Sequence, residues 1–456
     1  MQIYAKVAVI AGITGLILAP VGWAEETLPS KQQFGLNDCI QRALQSAPEL
    51  GEAQADLELT ASKLAEAKAH RFPQIEFLGL MGPVPQARGN QVYSPDSINQ
   101  TDRWTWFARG DASIVQPLYT FGKISENMKA ATHGIEVDRA KKEQTRNEIA
   151  LKVKEYYYGI LLARELKEML LGIKEDLSTA REKAAKLLDQ GSPSVDEMDI
   201  YKLDTFSGEV GKYLDEATKG EALATTALRT RMNLPADARM EITTARLTPD
   251  DEQPASLESF LTLSRDTRPE YRQIKEGLKA REALVEAARA AWYPDIFLAG
   301  YLSGAYAEKR DRVSNPWVQD EFNHYWGGVA LGLKWKFDFG ITSAKVAEAQ
   351  AQYNRLVSTR DFAERNIPLQ IRKYYLDLQE AEKSITSTRK AYESAKKWSV
   401  AAISNFDFGI GPAKEIFDSL QEYAKMRSAY FQSIYNYKIA LANLDYAVGE
   451  EPLTGK

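Results

Sequence analysis

One cysteine and three histidines are all that this chain of 456 residues offers to thiol or imidazole chemistry. A lone Cys39 can close no internal disulfide and build no zinc site. It sits in an apolar helical stretch, residues 36–44, where a small buried thiol is the expected state rather than a reactive one. His70, His133 and His324 are scattered without ligand spacing, so no metal or cofactor is expected. No G-x-x-x-x-G-K-[ST] run occurs, which leaves nucleotide hydrolysis without a motif, and no His/Cys/Asp constellation points to an enzyme. Charge is near balance, with 58 Lys+Arg against 63 Asp+Glu and no basic block, and this argues against nucleic acid as a partner. After residue 24 no apolar run approaches the ~20 residues of a spanning helix. A membrane crossing by the mature chain would have to use strands.

The first 24 residues read as a secretory signal. Lys6 supplies the positive end, residues 7–18 are a short apolar run, and Gly22-Trp23-Ala24 places small residues at the −3 and −1 positions of a cleavage after Ala24. The alternative, a membrane-anchor helix, has too short a run. No cysteine follows that could carry a lipid on a new N-terminus.

What is present is said twice. Pro48-Glu49 recurs as Pro269-Glu270 and Phe72-Pro73 as Tyr293-Pro294, 221 positions later; Gly122 recurs as Gly340 and Gly191 as Gly409, 218 positions later. A period of this length is too long for a solenoid and indicates a duplicated module, 25–245 and 246–456. Each module reads as a helix, two β segments and a very long helical hairpin. In the first, residues 36–70 are one helix ended by Phe72-Pro73, because the residue before proline is driven out of the helical region. Strands are expected at 74–81 and 104–115, separated by a Gly/Pro/Asn/Ser-rich loop, and a helical hairpin at 123–233. In the second, residues 257–292 are helical, strands are expected at 295–306 and 325–339, and a hairpin at 342–448 is broken locally at Pro368. Residues 236–256 read as a Pro/Asp-rich connector.

The strands alternate. Trp104, Trp106, Ala108, Gly110, Ala112 and Ile114 share one face, while Thr105, Arg109, Asp111 and Ser113 share the other, with Phe107 as an exception. Tyr325, Gly327, Val329, Leu331, Leu333, Trp335, Phe337 and Phe339 share one face; Gly328, Gly332, Lys334, Lys336 and Asp338 share the other. Two readings fit an apolar face with aromatic ends: an antiparallel sheet on a soluble core, or transmembrane strands with lipid on one side and water on the other. The signal sequence and the missing spanning helices favour the second. Four strands cannot close a membrane barrel, which starts at eight, and open edges are not tolerated in lipid. Several copies would therefore share one barrel, eight strands from two chains or twelve from three.

The first hairpin holds almost no helix breaker from 123 to 189, about 100 Å of helix at 1.5 Å per residue. The apolar pattern is irregular and rich in Ala, Gly, Lys and Glu, unlike the sustained heptads of a solid coiled coil. A thin wall wetted on both faces fits better. Gln190-Gly191-Ser192-Pro193 and Gly409-Ile410-Gly411-Pro412 make the two sharp turns, and Ser194 is the expected N-cap of the first return helix.

These elements resemble the TolC-type outer-membrane efflux proteins over nearly the whole mature length. The resemblance rests on Phe72-Pro73 and Tyr293-Pro294 before strands, on Gln116-Pro117-Leu118-Tyr119-Thr120-Phe121-Gly122 and Lys336-Phe337-Asp338-Phe339-Gly340 before the long helices, and on the turns at Gly191 and Gly409. It implies an α+β membrane protein acting as a passive, gated exit duct. The duct would be a homotrimer whose twelve-stranded barrel sits in outer-membrane lipid, continuous with an α-helical tunnel in the periplasm. It would dock to a periplasmic adaptor and an inner-membrane pump that supplies the energy. Family members narrow the tunnel with acidic side chains just after the turns; the matching positions are Glu197, Glu415 and Asp418. Threefold symmetry would make each a carboxylate ring that favours cations, though first-turn acids also stabilise a helix dipole without any gate. The turn residues Gly191, Pro193, Gly409 and Pro412 would form the tips that meet the adaptor, with plain turn chemistry as the alternative. One position departs: some members latch the closed state with an arginine two residues after the second turn glycine, and here that position is Gly411, so closure by the same salt bridges is not expected. A periplasmic adaptor would carry one hairpin and soluble β domains, and a secreted coiled coil would lack the strand pairs.

Overall fold

The computed structural model describes residues 32–89, 98–192, 195–235, 240–249, 254–313 and 315–450. The expected signal segment 1–24, Pro193 and Ser194 lie outside these residues.

The two halves repeat one element order. The first contains β1 (Gln32–Phe34), α1 (Leu36–Ser46), α2 (Pro48–Ala69), β2 (Gln74–Arg88), β3 (Ile98–Tyr119), α3 (Lys123–Asp189) and α4 (Glu197–Arg231). After β4 (Met240–Ile242), the second contains α5 (Leu257–Thr267), α6 (Pro269–Ala290), β5 (Asp295–Ala307), β6 (His324–Lys334), α7 (Ile341–Asp407) and α8 (Ala413–Val448).

The single helices expected at 36–70 and 257–292 are each two helices, and proline is the reason. Ala47 precedes Pro48 with ψ 119°, and Arg268 precedes Pro269 with ψ 123°, both extended. A residue before proline avoids the helical region, while proline itself suits the first helical turn. The kink at Arg268 has a structural use. Its guanidinium, buried, donates to the Ala447 carbonyl at 2.8 Å and also to Glu270 and Gln370. A cation thus closes the negative end of α8.

β2, β3, β5 and β6 form one antiparallel sheet in that order, leaving β2 and β6 as edges. β2 runs to Arg88 instead of stopping at residue 81, through Pro83 and Pro85. Proline removes a ladder donor, which an edge strand tolerates. β3 extends to both sides of 104–115 because β2 and β5 pair along it, with an irregularity between Pro117 and Tyr119. β6 ends at Lys334 rather than 339, because its partner β5 runs out at Asp295, the residue opposite.

α7 is continuous through Pro368. A proline inside a helix costs about 3 kcal/mol or more, but Ile367 and Ile371 on either side are buried against α8, and this packing offsets the loss. Along the upper molecule α2, α3, α6 and α7 lie side by side in that order. They are tied by polar pairs: Thr60 donates to Asp138 (2.6 Å), Gln273 to Gln144 (2.8 Å), and His133 pairs with Glu276 (2.7 Å). Apolar packing gathers at three levels. One unites α1, α3 and the β1–β4 pair, a short parallel sheet inside what reads as connector; Phe34, Ile242, Ile160 and Leu228 meet there. Cys39 is fully buried in this cluster, and burial pushes its thiol up to about 12.

Candidate functional site

Two regions can carry function: the faces of the sheet and the tips of the hairpins. Register decides the faces. Phe77 opposes Ala112, Ala112 opposes Leu302, and Leu302 opposes Gly327, so Phe77, Met81, Leu302, Val329 and Leu331 share one side, while Leu78 and Leu80 lie on the other, opposite Asp111 and Arg109. Their side chains are open: Phe77 is 74% exposed, Met81 78% and Val329 75%. Trp104, Trp106, Tyr306 and Tyr325 mark one end of this face; Trp292, Tyr293, Trp335 and Phe337 mark the other. Exposed apolar area with aromatic ends is what a lipid-facing barrel wall presents. Among the described residues no helix is long and apolar enough to cross a membrane.

The other face is polar and internally bonded. Asp111 accepts from Arg109 Nε (2.8 Å), Tyr301 (2.9 Å) and Ser303 (2.5 Å), and Ser303 lies 2.7 Å from His324 Nε2. Arg109 also reaches Glu321 at 2.9 Å. Phe107 is no exception to alternation: it faces this side and packs edge-on against Phe322 of the 308–323 loop at 5.3 Å. Where sheet meets helix, Lys123 of α3 binds Asp295 at 2.7 Å. Below that junction a groove of about 1290 Å³ lies between α2, α3, α6 and α7, with Lys63, Arg281 and Arg355 on its walls.

At the far end of the hairpins the two turns share one geometry. Gly191 (φ 69°) donates to the Leu188 carbonyl and Ser192 to Leu187. Gly409 (φ 73°) donates to Phe406 and Ile410 to Asn405. This pair of crossed bonds needs a left-handed residue, the glycine niche, and satisfies the last carbonyls of each helix. The two hairpins then pack together through α3, α4 and α8. Phe206 of α4 meets Phe417 of α8 edge-on at 5.4 Å, with Val210, Ile416 and Leu420 buried around them. Lys183 of α3 reaches Asp407 at the end of α7 at 2.5 Å.

The acidic residues after the turns lie as follows. Glu197 is exposed and begins α4. The N-cap of α4 is Asp196 rather than Ser194: it accepts from the Asp199 N–H, and Asp199 accepts from the Asp196 N–H. Glu415 is exposed on the first turn of α8 and accepts a hydrogen bond from Trp398 Nε1 at 3.2 Å. Asp418 is half-buried on the next turn. Glu197, Glu415 and Asp418 thus lie at the same end of the molecule as Gly191, Gly409 and Pro412. Sequence reasoning missed Trp398, whose signal was only a tryptophan eleven residues before the turn glycine. It also missed Asp196 and Asp199, whose signal was an Asp-x-x-Asp spacing at a helix start.

The arrangement matches known proteins at two levels. The chain is 22% identical over 333 residues to the multidrug resistance outer membrane protein MdtQ of Escherichia coli, an alignment covering 71% of this chain and 66% of that protein. The chain therefore spans just under two thirds of the length of this relative. Its fold is similar to the outer-membrane channel OprN, with a TM-score of 0.74, 16% identity, and 92% and 90% of the two chains covered. It is also similar to the outer membrane protein VceC of Vibrio cholerae, with a TM-score of 0.74, 16% identity, and 91% and 96% covered. The family model described as outer membrane efflux protein matches residues 39–197 and 261–450, most of both repeats, and the chain belongs to that family.

Proposed function

We propose that this protein is the outer-membrane exit duct of a tripartite efflux or type I secretion system, a passive conduit rather than an enzyme. The observation that carries the reading is the sheet: four strands with a lipid-type outer face, a hydrogen-bonded polar inner face, and outer edges at β2 and β6 that pair with no further strand among the described residues, β2 meeting only the 309–311 segment at Ala87. Open edges are untenable in lipid, so the edges of β6 and β2 pair between copies. Three copies give twelve strands, in keeping with the family. The 67-residue helices α3 and α7 leave the same end of the sheet, which carries the barrel into a periplasmic tunnel about 100 Å long.

The tips then meet a periplasmic adaptor through Gly191, Pro193, Gly409 and Pro412, and an inner-membrane pump drives transport. Just above them Glu197, Glu415 and Asp418 make acidic rings that form the aperture and favour cations. Gly411 leaves no arginine for a latch at that position, so closure rests on other contacts between the hairpins. Two copies of the pair of strands in a soluble adaptor would have no use for an apolar outer face this open.

Cross-linking and heat-modifiability gels on outer-membrane fractions test the duct; a detergent-resistant trimer is expected, and a soluble periplasmic monomer would overturn it. Planar-bilayer recordings test the aperture. The double variant Glu415→Gln, Asp418→Asn is expected to lose cation selectivity, and unchanged selectivity would remove these residues from the gate.

A further inference from the structure

The two hairpin tips employ their acidic residues differently, and the difference leads to Trp398. In α4 the third helical residue is Asp199. Its carboxylate is occupied by the reciprocal cap with Asp196, the arrangement of a capping box. In α8 the third helical residue is Glu415, and the N-cap is Pro412. Proline has no N–H, so the return bond of a capping box cannot form and the Glu415 carboxylate is released from helix capping. It is taken instead by the indole N–H of Trp398 on α7, at 3.2 Å. Indole nitrogen only donates, and its ring is rigid, with two side-chain torsions and large contact area. Trp398 remains 43% exposed, and Glu415 is exposed as well. The bond therefore places a charged group at the surface without burying it. The charges sharing this end include Lys414 beside Glu415, Asp418 one turn on, the Lys183–Asp407 pair, and Asp196, Glu197, Asp199 and the Arg181–Asp204 pair on the other hairpin.

We infer that Trp398 is the positioning residue of Glu415: it holds the carboxylate on the wall of its own hairpin, and so sets how strongly the ring of three such carboxylates selects cations. This rests on the reading of Glu415 as part of the aperture. The same logic separates the hairpins. Asp199 is a capping acid, whereas Glu415 is held for the lumen.

The test compares full-length wild type, Trp398→Phe, Glu415→Gln and the double variant in planar bilayers, reading reversal potentials under a KCl gradient. Trp398→Phe keeps the ring and removes the donor. Glu415→Gln is expected to lower the cation-over-anion permeability ratio. Trp398→Phe is expected to lower it, by less than Glu415→Gln does, in the wild-type background and to change nothing in the Glu415→Gln background. Trp398→Gln, which restores a side-chain N–H, is expected to recover the ratio. Equal shifts in both backgrounds, no shift from Trp398→Phe while Glu415→Gln does shift, or no recovery by Trp398→Gln would each overturn the role of Trp398 and leave the aperture standing. No shift from Glu415→Gln would overturn the aperture reading at that residue. Heat-modifiability gels on each variant show that the assembled protein is what is measured.

Discussion

The helices of the two halves agree in length where the strands do not. α1 and α5 have 11 residues each, α2 and α6 have 22, and α3 and α7 have 67. The strands run 15 and 22 residues in the first half against 13 and 11 in the second. The difference shows where length is constrained. Each helical residue moves the tip by 1.5 Å, and the two tips must arrive at one level for Phe206 to meet Phe417 and Lys183 to meet Asp407. A strand that ends in a surface loop has no such appointment; it stops where its partner stops, as β6 does opposite Asp295.

This contrast can be broken in order of expected effect. Phe206→Ala removes the α4 side of the inter-hairpin contact and is expected to destabilise the lower helices by about 3–5 kcal/mol, the usual cost of emptying an aromatic core site. Amide exchange should accelerate around 200–215 and 410–420 while the sheet keeps its protection. Exchange that rises in the sheet instead would mean the two regions are not separable. Next, Val329→Arg on the apolar face should cost about 2–4 kcal/mol and reduce insertion into liposomes, as charge on a lipid-facing strand does. Glu76→Arg, on the opposite face, should insert normally. Equal behaviour would show that the faces are assigned wrongly. Gly409→Ala forces a Cβ into the left-handed region and is expected to cost about 1–2 kcal/mol, seen as a lower unfolding temperature; Gly208→Ala inside α4, where φ is not positive and an added Cβ meets nothing within 4 Å, should not lower it.

The smallest effect concerns Glu165 on α3, buried and accepting the Leu247 N–H at 3.3 Å. Burial raises its pKa above the ordinary 4.5. A carboxyl whose folded pKa is raised favours the fold at pH below the unfolded value, and this contribution is lost as pH rises through the folded value. Glu165→Gln keeps the acceptor and removes the charge. It should therefore raise the unfolding temperature by about 1 °C at pH 7 and leave it unchanged at pH 4. The reverse pattern would show that Glu165 is held as a useful anion.

Much of this was legible in the chain. Pro48-Glu49 and Pro269-Glu270 announced the repeat, and alternation over 104–115 and 325–334 sorted the residues of those two segments between the sheet faces, with Phe107, set apart as an exception, keeping the alternation as an apolar residue on the polar face. The kinks at Ala47 and Arg268 were missed, although the same proline rule that ended a helix at Phe72 applies there. Pro83 and Pro85 misled because proline ends a central strand but not an edge, and edge status is a property of the whole sheet. The β1–β4 pair was invisible because its three-residue strands lie about two hundred residues apart and carry no alternation of useful length. Glu415 could be found by its spacing from Gly409, and Pro412 three residues before it already withholds the N–H that a capping box would need; its bond to Trp398, a contact between two helices, is one that no local pattern encodes.

The β1–β4 pair also sets an order of events during synthesis. Gln32–Phe34 finds its partner only at Met240–Ile242, after α3 and α4 have been made, and contacts of such separation form late. Once they form, α1, α3 and α4 are closed around a core drawn mostly from residues before 250, to which α7 and α8 later add Ile385, Tyr430, Phe431, Ile434 and Tyr435. β3, by contrast, must wait for β5. A chain delivered N-terminus first can thus settle the helical part of its first repeat, with β2 and β3 paired to each other, while the other edge of β3 still waits for the second repeat.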